Sequence, residues 1–171
     1  VATEKQVPKP ILGFVFGASA NLFSDNRFEG NGTNFALAYQ VSRRIQACVY
    51  HEQGHIHGEE NNTDINIDVN LTEFRVGLDI WSNESGSQEV ALMVGIGQVQ
   101  YTEGITASEG MADIAVRYSP IRVKSGPVIG TMNLNFAYRY SALNNLAIAG
   151  FTRRLEDLGG FVIGLGAGVH F

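Results

Sequence analysis

The sequence predicts an all-β fold: an eight-stranded antiparallel up-and-down β-barrel that crosses a membrane with its strands. Three observations lead there. Apolar residues alternate with non-apolar ones at a period of two in eight separate segments, the mark of strands with two different faces. The non-apolar face is small, rich in Gly, Ala and Ser, with isolated charges of both signs in place of the lysines of a solvated strand. Only 17% of residues are charged against 44% hydrophobic, a balance unlike that of a disordered chain, and the 20 glycines in 171 residues lack the period of three of a collagen-like repeat.

The first segment, 11–23, sets Leu12, Phe14, Phe16, Ala18, Ala20 and Leu22 against Gly13, Val15, Gly17, Ser19 and Asn21. The second, 33–42, carries Phe35, Leu37, Tyr39 and Val41 on one side, and the third, 44–53, carries Ile45, Ala47 and Val49. The fourth, 65–80, changes parity. Ile65, Ile67, Val69 and Leu71 are apolar at odd positions and Phe74, Val76, Leu78 and Ile80 at even ones, so a β-bulge near Thr72–Glu73 is expected to restore the register. The fifth, 89–101, shows Val90, Leu92, Val94 and Ile96; the sixth, 111–123, shows Ala112, Ile114, Val116 and Tyr118. The seventh, 127–141, shows Met132, Leu134, Phe136, Tyr138 and Tyr140, and the eighth, 160–171, alternates from Phe161 to Phe171. Long connectors are expected at 24–32, 53–64 and 142–159, the last with room for a short helical turn. Short ones are expected around 42–44 and 124–127, and intermediate ones at 81–88 and 102–110.

A soluble sandwich turns its polar face to water. Small residues with balanced charges suit instead the filled interior of a narrow barrel, and the apolar face then meets lipid. Only a closed barrel pairs every strand backbone group in hydrocarbon, and ~9–11 tilted residues are enough to span it. The reverse facing, a soluble β-barrel holding an apolar ligand, is the alternative. No apolar run approaches the ~18–20 residues of a spanning helix. A net charge of −5 leaves no footprint for nucleic acid, and the single Cys48 excludes an internal disulfide or a paired-cysteine zinc site.

Among interior positions, Arg75, Asp79, Asp113, Arg117 and Arg139 are placed to pair across the lumen, with Arg44 and Glu73 as further candidates and Asn133 and Asn135 as hydrogen-bonding neighbours. Buried opposite charges must pair to be tolerated, so the reading is a structural plug, with a narrow ion path as the alternative. His51, His55 and His57 lie close in sequence with Glu52, Glu59 and Glu60, residue types that ligate transition metals. Their spacing matches no metal motif; a solvated acidic loop is the plainer reading, and no cofactor is expected.

The segment Gly164–Phe171, GLGAGVHF, ends in an aromatic residue after a run of alternating apolar positions. It resembles the C-terminal assembly signal of bacterial outer-membrane barrels, departing from it at Val169, where an aromatic is usual. From Ile11 to Phe171 the chain resembles the small eight-stranded outer-membrane proteins, the family of the OmpA membrane domain, OmpX/Ail and the opacity-type proteins. The resemblance implies residence in the Gram-negative outer membrane, with 1–10 as a periplasmic N-terminal extension and 11–171 as the barrel. It also implies short periplasmic turns and long extracellular loops. Outer-membrane lipid or lipopolysaccharide is then the surrounding partner, a protein or other surface partner would meet the loops, and the barrel is a monomer. Tyr138–Asn145, YRYSALNN, is similar in position to the active strand of small outer-membrane lipid A deacylases. Those carry a His two residues before a Ser, where this chain has Arg139 before Ser141, and an arginine cannot serve as general base. Ser141, Glu156 and His51 are the catalytic candidates of that alternative. The leading expectation is a non-catalytic barrel.

Overall fold

A computed structural model describes residues 11–23, 27–60, 62–102, 107–141 and 159–171. Eight strands follow one another: β1 (Leu12–Phe23), β2 (Phe28–Gln40), β3 (Ile45–Glu60), β4 (Thr63–Ser82), β5 (Glu89–Thr102), β6 (Ala107–Ser125), β7 (Val128–Ser141) and β8 (Gly160–His170). Each pairs antiparallel with its sequence neighbours, and β8 returns to β1 with Gly13 opposite His170, so the sheet closes. Closure leaves no sheet edge, as a strand fold surrounded by lipid requires.

One end of the barrel, here the terminal end, carries Ile11 and Phe171, joined by backbone hydrogen bonds of 2.7 Å from Ile11 N–H to the Phe171 carbonyl and from Phe171 N–H to the Leu12 carbonyl. The β6–β7 turn lies at this end, where Ser125 faces Val128 and Gly126 takes a φ of 61°. The opposite end, the hairpin end, is dominated by β3 and β4. Glu60 faces Thr63 there, and Asn62 occupies the left-handed region at φ 62°, a conformation that asparagine tolerates in two-residue hairpin turns.

The facing decides the environment. Phe16, Ile96, Phe161 and Leu165 point outward and are 62%, 66%, 63% and 54% exposed, whereas Arg75 and Arg117 point inward and are 7% and 8% exposed. A continuous apolar exterior around a charged interior is stable in hydrocarbon and untenable in water. The reversed, soluble arrangement is therefore excluded, and the barrel spans a membrane. Aromatic rings pack together on this exterior, Phe16 on Phe35 at 5.1 Å between centroids and Tyr138 on Phe161 at 5.2 Å.

The parity change in β4 has another cause than a bulge. Its pairing with β3 is regular from Thr63 to Leu78, and the register shift against β5 lies lower, between Asp79 and Trp81. Even positions face outward along the strand from Asp64 to Ile80. Going toward the hairpin end, the outward residues change from Ile80, Leu78, Val76 and Phe74 to Thr72, Asn70, Asp68, Asn66 and Asp64. Over the same stretch the inward ones change from Asp79, Arg75 and Glu73 to the buried Leu71, Ile67 and Ile65. β3 does likewise, with Ile45 and Val49 outward below and His51, Gln53, His55, His57 and Glu59 outward above. β2 replaces Phe35, Leu37 and Tyr39 with Thr33, Asn31 and Glu29, and β5 replaces Val94 and Ile96 with Gln98, Gln100 and Thr102. The lower barrel thus has the polarity of a membrane protein, and the β2–β5 wall above it that of a soluble one. The expected long connector at 53–64 is instead the upper part of β3 and β4, and β2 starts at Phe28, five residues earlier than expected. A second register shift, in β6 between Tyr118 and Ile121, accommodates Pro120, which has no N–H for the ladder. Residues 1–10 and most of 142–159 lie outside the described residues.

Candidate functional site

The lumen is built in layers. Nearest the hairpin end is an apolar cluster of Phe28, Ile56, Ile65, Ile67, Leu71, Val99, Tyr101 and Met111, with Tyr50 at its base. The Tyr101 hydroxyl escapes burial without a partner by donating to Glu109 at 2.8 Å. A small cavity opens beside this cluster, walled by Phe23, Ile56, Leu71, Val99 and Met111 and floored by Glu52 and Arg139.

Beneath lies a charged belt. Arg139 on β7 reaches across to Glu52 on β3 and donates from both terminal nitrogens, at 2.8 and 2.7 Å. That bidentate fork fixes geometry as well as charge. It also donates to Asn21 at 3.2 Å, while the Tyr50 hydroxyl donates to Glu52. Arg75 on β4 is held by Glu73 at 2.7 Å and by Asp113 on β6, and its guanidinium lies 3.6 Å from the centroid of the Tyr50 ring. Five strands, β1, β3, β4, β6 and β7, are tied together by these contacts. Gly95 and Gly97 make room for them. A Cβ at Gly95 would stand 2.5 Å from Asp113 Oδ1 and 2.9 Å from Arg75 Cγ, and one at Gly97 would stand 2.5 Å from Glu73 Cγ. That is the physical role of the Gly-Ile-Gly stretch in β5.

Next comes a belt of small apolar side chains, Ala38, Cys48, Met93, Ala115, Ala137 and Val162. Below it a second polar layer fills the terminal end. Arg117 on β6 donates to Gln46 on β3 at 2.8 Å and to Glu89 at 3.5 Å, and Arg122 also pairs with Glu89. Ser119 donates to Asn133 at 2.7 Å. Asp79 faces the lumen on β4 and is buried, its backbone N–H donating to the Arg44 carbonyl. Arg44 itself is exposed in the β2–β3 turn, so it is not an interior residue.

No family model matches the chain, and no curated protein matches it in sequence. Solved structures do match in fold. The crystal structure of the outer membrane protein OprG from Pseudomonas aeruginosa superposes with a TM-score of 0.64 at 7% identity, covering 95% of this chain and 97% of that one. The solid-state NMR structure of the outer membrane protein AlkL in DMPC lipid bilayers gives 0.54 at 14% identity, covering 100% and 94%. The chain has the fold of the small outer-membrane β-barrels. At these identities the likeness carries architecture alone, and this barrel must be understood from its own residues.

The histidines of this barrel lie on a strand, not in a loop. His51, His55 and His57 all face outward from β3 and engage β4: His51 Nδ1 meets Thr72 Oγ1 at 3.0 Å, His55 Nδ1 meets Asp68 at 2.7 Å, and His57 Nδ1 meets Asn66 at 3.1 Å. Among the described residues no group of three His, Cys, Asp or Glu side chains converges as a metal cage would require. Of the catalytic candidates, Glu156 lies outside the described residues. Ser141 ends β7, on the wall opposite β3, where His51 turns away from the lumen, so strand placement does not bring His51 toward it. Sequence reasoning missed Glu52, Gln46, Glu89 and Arg122 as lumenal partners. The signal for Glu52 was its parity, shared with the inward Cys48 and Tyr50.

Proposed function

We propose that in the outer membrane this barrel is a plugged, non-catalytic scaffold whose extracellular end is its working part. On this reading the terminal end faces the periplasm, and the β2–β5 wall stands in the external medium as a platform for a protein or other surface partner. A monomer is favoured, because the apolar belt is continuous and suited to lipid or lipopolysaccharide throughout. The observation that carries the reading is the charged belt. Arg139–Glu52 crosses the barrel from β7 to β3 and Arg75–Asp113 joins β4 to β6 over Gly95, and such a paired network fills the space an ion would need. Conductance in planar bilayers tests it. The expected record shows no stable open level, and steady conductance at low voltage removes the plug.

The apolar cluster above the belt favours a second reading, in which the small cavity beside it takes up a short apolar molecule from the external side. Methyl NMR of the barrel in lipid nanodiscs tests this against non-specific partitioning. A short alkane should shift the Ile56, Leu71 and Val99 methyls while leaving those of the lipid-facing Val94 and Ile80 in place. Equal shifts on both sets would remove it.

A further inference from the structure

The polar layer at the terminal end is more than filling. It surrounds a small cavity between Gln46, Glu89, Arg117, Arg122, Thr131 and His170. Two guanidiniums line this space, and one carboxylate, Glu89, serves both of them. The second interior acid of this half, Asp79, lies outside the cavity lining. Gln46 accepts from Arg117 at 2.8 Å but brings no charge. Thr131 and His170 contact each other at 3.2 Å and supply a hydroxyl and an imidazole. The lining therefore holds one positive charge more than its carboxylate balances when His170 is neutral. Arg117 is about nine-tenths buried, and its Nε–H has no hydrogen-bond partner among the described residues. An arginine in such a place normally has every donor engaged, because an orphaned charged donor loses its hydration with nothing in return.

We propose that this cavity is a binding site for a small oxyanion of the phosphate, sulfate or carboxylate class. The ligand would take the Arg117 Nε–H and the free donors of Arg122, with the Thr131 hydroxyl as a neutral donor. It brings a negative charge beside two guanidiniums and the acceptor that the Arg117 Nε–H lacks among the described residues. The site does not depend on whether the lumen conducts, since it lies below the belt of small residues, nor on orientation, since in a micelle both ends of the barrel meet the same buffer.

The test uses the purified barrel in a zwitterionic detergent at pH 7, titrated with inorganic phosphate while sodium chloride holds the ionic strength constant. Thermal unfolding is followed by heat-modifiable gel migration. Phosphate should raise the midpoint saturably, and Arg117→Gln should weaken its apparent affinity about tenfold or more, the loss expected for a charge-assisted hydrogen bond. Arg122→Gln should act in the same direction and serves if the first variant does not fold. Acetate in place of phosphate distinguishes members of the class, and a saturable response to either supports the site. A midpoint that follows ionic strength alone, or a phosphate response unchanged in the variant that folds, overturns the proposal.

Discussion

Replacing Arg139 with Met tests the charged belt most directly. The side chain of Glu52 is 2% exposed and that of Arg139 8%, and the guanidinium pairs directly with that carboxylate. Methionine keeps much of the aliphatic volume and removes the charge. Among the described residues Glu52 would then keep the Tyr50 hydroxyl as its hydrogen-bond partner, and a buried charge stripped of its direct counter-ion costs about 3–5 kcal/mol. At about 1.4 kcal/mol per decade, the folding equilibrium constant should fall by about two to four decades. The companion variant Arg139→Met/Glu52→Gln removes both charges while leaving Tyr50 an acceptor, and it should recover at least half of that loss, because neutral replacement of a buried pair is often close to neutral. Reversible urea unfolding in lipid vesicles, read by tryptophan fluorescence at Trp81 and by gel migration, measures all three proteins. If the single variant unfolds at the wild-type midpoint, or if the double variant is less stable than the single one, the belt is not a dry, coupled network and the plug loses its foundation.

Four further outcomes follow from the same structure. Gly95→Ala should destabilise by about 1–3 kcal/mol, because its Cβ has no room beside Asp113 and Arg75, while Gly110→Ala, with open space at its Cβ, should stay within about 0.5 kcal/mol in the same urea titration. Val94→Arg puts a guanidinium into the lipid-facing belt and should lose about 2–4 kcal/mol, whereas Gln100→Arg, six residues farther up β5 on the same face, should be nearly neutral. Equal losses at the two sites would contradict the assigned membrane boundary. Cysteine substitution at Gln53 should label with a membrane-impermeant maleimide in whole cells and one at Val76 should not; the native Cys48, which is buried, should stay unmodified in the folded barrel. Ile67→Ala should lose about 2–5 kcal/mol even though it lies above the membrane belt, because Ile67 is fully buried in the upper cluster.

Much of this architecture was legible because alternation carries over directly into a barrel. The eight strands, their consecutive pairing and the outward direction of Phe16, Val94 and Leu165 need only the period of two and the smallness of the opposite face. The upper halves of β3 and β4 were not legible by the same rule. A search for apolar residues on a lipid-facing side loses the strand when that side turns polar, so the stretch from Gln53 to Asp64 looks like a loop although it alternates throughout. Ile56 stands between His55 and His57, and Gly54 and Gly58 take the adjacent inward positions. Glu52 was lost for the same reason, read with the polar neighbours beside it in sequence instead of with Tyr50 and Cys48, whose face it shares. Asn133 and Arg117 could be placed inside, but their partners could not, since Gln46 is 71 residues from Arg117 in sequence.

The parity change in β4 is therefore a marker of depth. Within hydrocarbon, lipid tails are as apolar as leucine, so nothing drives Val76 or Leu78 inward, and the polar groups gather in the lumen because they have no other partners. Above the bilayer, water returns and the hydrophobic effect returns with it; Ile65, Ile67 and Leu71 turn inward, and Asp64, Asn66 and Asp68 turn outward without any break in the ladder. A bulge would have kept one facing along the whole strand. The uninterrupted register shows that the surroundings changed while the strand did not. The crossover falls between Thr72 and Phe74 on the outside and between Leu71 and Glu73 on the inside, one residue apart. Inner and outer polarity switch at the same height because each is the complement of the other. Moving the outer boundary should therefore weaken the inner one. A barrel carrying Asn70→Leu and Thr72→Leu would extend its apolar belt around the level where Leu71 and Ile67 are packed, and the hydrophobic drive that holds those side chains inward would fall as lipid replaced water outside them. Hydrogen exchange at Leu71 and Val69 reads this directly: faster exchange in the variant than in the wild-type protein is the expected result, and unchanged protection would mean that the upper wall holds its shape through its backbone ladder alone.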